Sequence, residues 1–454
     1  MYGTQARHHA PFSDCTAFVS FLAPFISLAA SQSSILFATP VWPSQAFFNK
    51  LSLQPPIFEI GNTSTTSPDG LLFLSPGGNG SASNAPMIMD FNDTLGWLDF
   101  TGEMTNMCTQ ELNGTTYITY WSGNPSAAFG RAYGAVHVLD ESYTERYKVC
   151  LAELYFQTAN NFTQACNVDV HEQRITERDG IVVTAYNATQ QDLSSSRFYD
   201  IVIATGAILF SWKSLDHQDV LPLVDSQEPL SIFGNPTGLV QSLAWDYFHT
   251  ISIQPHADGY LLNPRHSWEI IKIGFDRSIE WRLQGFNDHS DFDILDAGAS
   301  FKWQHHIRAE RITDESLAAN VHDDYIREVV NGTGPTTGLE LNISPRNRAV
   351  ALSKRLIDPA DLVSASQEGS YQALAHGHVL LGSGAIPKLR EVDQDGSVVY
   401  AAHFGYDVTA ASYRAFSVDN WDGYPATPPK IVFMTAEDGI GTKVYAKVER
   451  GDGV

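Results

Sequence analysis

The sequence predicts an all-β chain folded as a six-bladed β-propeller with four-stranded antiparallel blades. Three observations lead there. A unit of nine or ten residues recurs, with an apolar residue at its start, a polar turn in its middle and, in most copies, an aromatic at its end. Its copies lie roughly 50 to 70 residues apart, a period typical of repeats that each fold as a small sheet. Between the copies run short apolar segments broken by turn residues, not long helical patterns.

The copies, in order, are Met89–Trp97 (MDFNDTLGW), Leu139–Tyr147 (LDESYTERY), Ile203–Trp212 (IATGAILFSW), Ile273–Trp281 (IGFDRSIEW), a degenerate Leu341–Ala349 (LNISPRNRA) and Val392–Tyr400 (VDQDGSVVY). Each is read as the outer hairpin of one blade. Trp245–Gly285 reads as a whole blade: four short extended runs, with Asp258-Gly259 and Phe275-Asp276-Arg277 as turn signals. An all-β sandwich is the competing arrangement. Ser316–Val330 carries a weak helical pattern and is expected to be an insertion between blades. A strand near Thr442–Val448 is expected to close the ring on the amino-terminal strands.

The 454 residues are 43% hydrophobic, enough for a large core. A formal net charge of -23 argues against nucleic acid or an anionic membrane surface as a partner. Residues 1–33 read as a signal peptide. Arg7, His8 and His9 precede the apolar run Phe18–Ala30, and the small residues Ala29-Ala30-Ser31 follow. Cleavage near Ser31 to Ser33 would leave 34–454 as a single propeller domain, and no later run is long enough to span a membrane. Sequons at Asn62, Asn79, Asn92, Asn113, Asn161, Asn187, Asn331 and Asn342 fit a secreted glycoprotein. After cleavage Cys108, Cys150 and Cys166 remain, which allows one disulfide and one free thiol. The pairing is open, and proximity favours Cys150–Cys166.

The first strand of each propeller blade lines the axis. His171 precedes the Asp179-Gly180 turn, and His249 precedes Asp258-Gly259 at nearly the same interval. His305 takes the same place in the next unit, and Gln372 lies in the unit after that. Radial repetition would bring the three imidazoles together. A lone histidine at a strand start is ordinarily a structural hydrogen-bonding residue, but three equivalent positions favour a site. Arg265 adds a planar fork of donors suited to sulfate, phosphate or carboxylate. Such a set binds an anion and moves protons.

Several segments resemble the arylsulfotransferase family, and in particular its secreted fungal branch. They are DVHEQRITERDG (Asp169–Gly180), WDYFHTISI (Trp245–Ile253), RHSWEIIKI (Arg265–Ile273), SIEWRLQG (Ser278–Gly285), FKWQHHIR (Phe301–Arg308), SYRAF (Ser412–Phe416) and WDGYP (Trp421–Pro425). The resemblance runs from about residue 65 to near the end and implies a six-bladed propeller. It also implies sulfuryl transfer from an aryl sulfate donor to a phenolic acceptor, without a nucleotide donor, through a transiently sulfated histidine. By motif position the nucleophile is His305, with its neighbour His306 as the alternative. His249, Arg265 and His171 map to the groups that hold sulfuryl oxygens and handle the phenol proton. No cofactor and no metal are implied. Two other functions stay open: a secreted propeller binding glycan or protein without catalysis, and a metal- or quinone-binding propeller.

Overall fold

The computed structural model describes residues 40–446, apart from 47–53, 63–69, 100–103, 126–129, 152–165, 189–192, 233–234, 237–243, 287–288, 314, 325–333, 408, 426–430 and 436–441. The chain divides after Ala38, and the second unit, Thr39–Val454, holds the propeller. The expected signal peptide and the sequons at Asn161 and Asn331 lie outside the described residues.

Six antiparallel sheets form the blades. Blade 1 combines Leu71–Gly77, Met87–Asp90 and Leu95–Leu98 with Ala411–Val418. Blade 2 holds Met104–Leu112, Thr115–Pro125, Ala132–Leu139 and Glu145–Val149. Blade 3 holds Gln173–Ile175, Gly180–Ala188, Ser194–Val202 and Ile208–Lys213. Blade 4 holds Thr250–His256, Gly259–Pro264, Glu269–Gly274 and Ile279–Gln284, the four runs expected from the sequence. Blade 5 holds His306–Ile312, Leu317–Asp323, Thr337–Ser344 and Ala349–Leu356, with Asp293–Ile294 added in parallel outside. Blade 6 holds Ser370–Ala373, Val379–Gly382, Lys388–Val392 and Val398–His403, with Glu59–Asn62 added outside. Each innermost strand neighbours the next, and the sixth returns to the first.

All six recurring units are the turn between the third and fourth strands of a blade. In five of them the ladder slips by a residue beside the turn, and in blade 5 the slip lies further from it, between Glu340 and Leu341. In every one a single residue takes positive φ: Asp93, Tyr143, Gly206, Arg277, Arg348 and Gly396. This is the short hairpin in which a left-handed residue reverses the chain and leaves a bulge. An aspartate fixes several of these turns. Asp140 Oδ1 accepts from the Ser142 and Thr144 amides, and Asp393 Oδ1 accepts from those of Asp395 and Ser397. The apolar starts and closing aromatics fill the space between blades. Blades 3 and 4, for example, share Phe198, Phe210, Trp212, Tyr260 and Ile271.

Two expectations need correction. The ring is closed by Ala411–Val418, which pairs with Leu71–Gly77 as the innermost strand of blade 1. Thr442–Ala446 instead pairs with Ile431–Thr435 in a separate hairpin. From this strand Arg414 reaches Glu172 and the carbonyls of His171 and Ile251 in blades 3 and 4. The helical candidate Ser316–Val330 is also wrong over its described part, because Leu317–Asp323 is a strand. Leu317, Ala319 and Val321 alternate along one face, a period of two that outweighs the helical pattern.

Cys150 and Cys166 form a disulfide, and Cys108 is the free thiol among the described residues. Among the described sequons, Asn79, Asn92, Asn113 and Asn342 are exposed and Asn187 is half-buried.

Candidate active site

The three histidines predicted from the sequence sit at the starts of successive innermost strands. His171 lies two residues before the strand of blade 3, and His249 and His305 lie one residue before those of blades 4 and 5. Ring closure brings them together. The His171 and His249 rings are 4.7 Å apart, edge to face. His266 stacks on the other side of His249 at 4.5 Å. Tyr186 and Tyr413 flank His171 at 6.0 and 5.9 Å. Arg265 follows the second strand of blade 4, and its amide bonds to the His249 carbonyl at 2.9 Å. All four predicted residues are at most 5% exposed.

Each histidine is held by an aspartate at Nδ1. Asp169 holds His171, Asp246 holds His249 at 2.7 Å, and Asp324 holds His305 at 2.5 Å. Asp169 is itself fixed by the Ala132 amide and the Thr184 hydroxyl. Among the described residues, Nε2 of these three imidazoles has no hydrogen-bond partner. A carboxylate at Nδ1 orients the ring and favours the tautomer whose lone pair is on Nε2.

Arg265 lies in this cluster with no carboxylate at salt-bridge distance among the described residues. Its Nε donates to Trp303 O at 3.1 Å and one terminal nitrogen donates to Ser366 O at 2.7 Å. The other terminal nitrogen has no partner among the described residues. Burial lowers its pKa to about 10, against the fields of Asp324, Tyr413 and Asp246. A buried cation bonded only to carbonyls is a ready partner for an anion.

Burial depresses the basicity of His249 far below the ordinary value, and the charges of His171 and Arg265 deepen the shift. His305 is depressed in the same way, by burial first and then by Arg265, His249, His322 and His171. Both are neutral imidazoles near pH 7.

His306 points elsewhere. Its Nδ1 meets the Tyr371 backbone between blades 5 and 6, and its ring lies 5.9 Å from Phe416. His305 is the member of the pair that enters the cluster. Gln372 is not part of it either, since its amide bonds to the Ser417 backbone of blade 1.

The sequence reasoning missed several members of the site. Asp169 and Asp246 stand two and three residues before their histidines, so a D-x-H or D-x-x-H search would have found them. Asp324 comes from the end of a different strand and needed the fold. Glu368, just before the innermost strand of blade 6, holds positive φ like His249, and its Oε2 is buried without a partner among the described residues. Burial pushes its pKa up to about 7, while His171 pulls the other way. Strained backbone at non-glycine residues, here His249, Trp303 and Glu368, concentrates at functional sites. Asp246, His249 and His266 also lie close enough to share a metal ion. Their ring nitrogens, however, already meet Asp246 Oδ2, Asp246 O and Glu228.

A second layer lies one residue further along the axis. Glu172 receives Arg308 from blade 5 at 2.8 Å and Arg414 from blade 1 at 3.1 Å. It also accepts the Ile253 amide, while Arg414 donates to the carbonyls of His171 and Ile251. These groups cross the axis beneath the histidines and tie four blades together.

No curated protein matches the chain. Among solved structures it is similar to a protein of unknown function from Bacteroides caccae at 12% identity and TM-score 0.43, covering 78% of this chain and 100% of that one. It is also similar to an inactive variant of virginiamycin B lyase from Staphylococcus aureus at 9% identity and TM-score 0.29, covering 76% and 88%. A third is AztD of Citrobacter koseri, at 8% identity and TM-score 0.30, covering 85% and 94%. Likenesses this distant decide nothing about activity. The sequence profile of the arylsulfotransferase (ASST) family matches residues 108–405. That span is more than half of the chain and contains all three aspartate-held histidines and Arg265, and the protein belongs to the arylsulfotransferase family.

Proposed function

We propose that this protein transfers a sulfuryl group from an aryl sulfate to a phenolic acceptor through a sulfohistidine on His305, with no nucleotide donor. One observation carries the proposal: His305, fixed at Nδ1 by Asp324 and neutral, shares a buried cluster with an Arg265 that makes no salt bridge among the described residues. An aryl sulfate brings the missing anion. Its sulfuryl oxygens meet Arg265, whose free donors stabilise charge that builds on them in the transition state.

The Nε2 lone pair of His305 attacks sulfur, the nitrogen–sulfur bond forms and the sulfur–oxygen bond to the ring breaks. The departing phenolate takes a proton from a neighbouring acid. Glu368, with its pKa near 7, and a protonated His171 or His249 are the candidates. His249 is neutral in the free protein, so a cationic role requires the substrate. A sulfate ester among these groups raises their proton affinity, and a proton enters with it. In the second half the acceptor phenol gives its proton to the same group. Its oxygen takes the sulfuryl group, and His305 is restored.

Secretion belongs to the same proposal. The Cys150–Cys166 disulfide and the exposed sequons support an oxidising, glycosylating route of export. The test of activity is turnover of a chromogenic aryl sulfate with a phenol and no nucleotide present. Product that depends on adenosine phosphosulfate, or no sulfated phenol at all, contradicts the proposal.

A further inference from the structure

We propose that His376, His378 and Glu391 form a binding site for one divalent transition-metal ion, zinc by chemical class, separate from the histidine cluster on the axis. His376-Gly377-His378 is the turn that joins the first two strands of blade 6, and Glu391 lies on the third strand. The axial cluster sits where the innermost strands begin, whereas this turn is at the far end of its strand.

The turn is rigid. The Leu374 amide bonds to His378 O at 2.8 Å and the Gly377 amide bonds to Leu374 O at 2.9 Å. Gly377 has φ of 88°, and a Cβ there would lie 2.4 Å from Gln394 Nε2. Only glycine fits, and the two histidines are set on one side of the reversal. Their rings stand 4.3 Å apart at 70°.

Both imidazoles aim at the same oxygen. His376 Nε2 is 3.2 Å and His378 Nδ1 is 2.7 Å from Glu391 Oε1. The three donor atoms all lie within 4.8 Å of one another. A tetrahedral zinc ion with bonds of about 2.1 Å needs donors about 3.4 Å apart, so the two histidine–Glu391 contacts would lengthen by less than an ångström to accept one. The carboxylate is the second, independent pointer. Glu391 is 2% exposed, and its Oε2 is buried with no partner among the described residues. A buried carboxylate left half-satisfied is costly unless a cation neutralises it. His376 is half exposed, which leaves a path for the ion and room for a water as fourth ligand.

Two imidazoles and one carboxylate select zinc, cobalt or nickel over calcium or magnesium, which take oxygen ligands. The ion would fasten the inner turn of blade 6 to its third strand.

The experiment uses the full-length purified protein, stripped with a chelator and titrated with ZnCl2 by calorimetry and with CoCl2 by visible absorption. The expected result is one equivalent of zinc, a tetrahedral cobalt spectrum and a raised melting temperature with zinc. H376A and H378A should each weaken zinc by more than the about 10- to 100-fold typical of losing an outer partner of a metal ligand. E391Q keeps the shape and should also lose the ion. H249A should keep the equivalent, which separates this site from the axial cluster. Failure of aryl sulfate turnover leaves this test unaffected. Absence of a zinc heat at micromolar protein, or equal binding by the H376A/H378A double variant, overturns the proposal.

Discussion

Two layers of buried charge lie next to each other on the axis, and they are built on opposite terms. In the deeper layer Glu172 is met by Arg308, Arg414 and the Ile253 amide, and Arg414 uses its remaining donors on carbonyls. In the upper layer, among the described residues, His171, His249 and His305 are hydrogen-bonded only at Nδ1, and Arg265 makes no salt bridge. His171 and Glu172 are adjacent in sequence, so composition does not separate them. What separates them is saturation. A satisfied charge network holds the ring together, and an unsatisfied one waits for a ligand.

The comparison is broken most directly by H305A, which should remove all turnover. H306A should keep it and cost only stability, because His306 packs against the Tyr371 backbone and not in the cluster. A chromogenic aryl sulfate assay beside a urea melt reads both. R265A should lower kcat by about 10²- to 10³-fold, the usual result of removing one of several donors to a developing charge. E172Q should leave the histidine geometry in place but destabilise the fold by about 3–5 kcal/mol, because two buried arginines lose their partner. Equal loss of stability in R265A and E172Q would erase the distinction between the layers.

The smallest effects are in pH. Burial raises the Glu172 pKa, but Arg308 and Arg414 overcome that and take it from an ordinary 4.5 down to about 2. A folded value below the unfolded one means that its stabilisation is complete above about pH 4.5. It is lost as pH falls towards 2. E172Q should therefore flatten the acid limb of a melting-temperature profile. In the upper layer the sign is reversed. Burial holds His249 below its ordinary value in the free protein, and a bound sulfate ester raises it. Aryl sulfate should bind more tightly as pH falls, with proton uptake seen as a buffer-dependent heat.

The legible part of the fold was local. Six turns each carry a left-handed residue, and in most cases a bulge and a closing aromatic, within about ten residues of one another. The closing strand was not legible, since Ala411–Val418 pairs with Leu71–Gly77 across most of the chain and no local signal marks that pairing. In the candidate site, His171, His249 and His305 were picked out because the repeat places them in register, and Arg265 because of its donor fork and the family resemblance. Asp324 reaches His305 only through the pairing of the first two strands of blade 5, and Glu368 breaks the histidine pattern in blade 6. The deeper layer escaped notice because Glu172, Arg308 and Arg414 lie in three blades, and only ring closure makes them neighbours.

The central claim is that His305 carries the sulfuryl group. Protein is mixed with an aryl sulfate in the absence of acceptor, quenched under alkaline conditions, digested and analysed by mass spectrometry. The account predicts a sulfuryl adduct on the peptide containing His305, fragmenting to that imidazole, discharged by added phenol and absent from H305A. An adduct on His306, or rapid turnover in H305A with no adduct on any histidine, would contradict it.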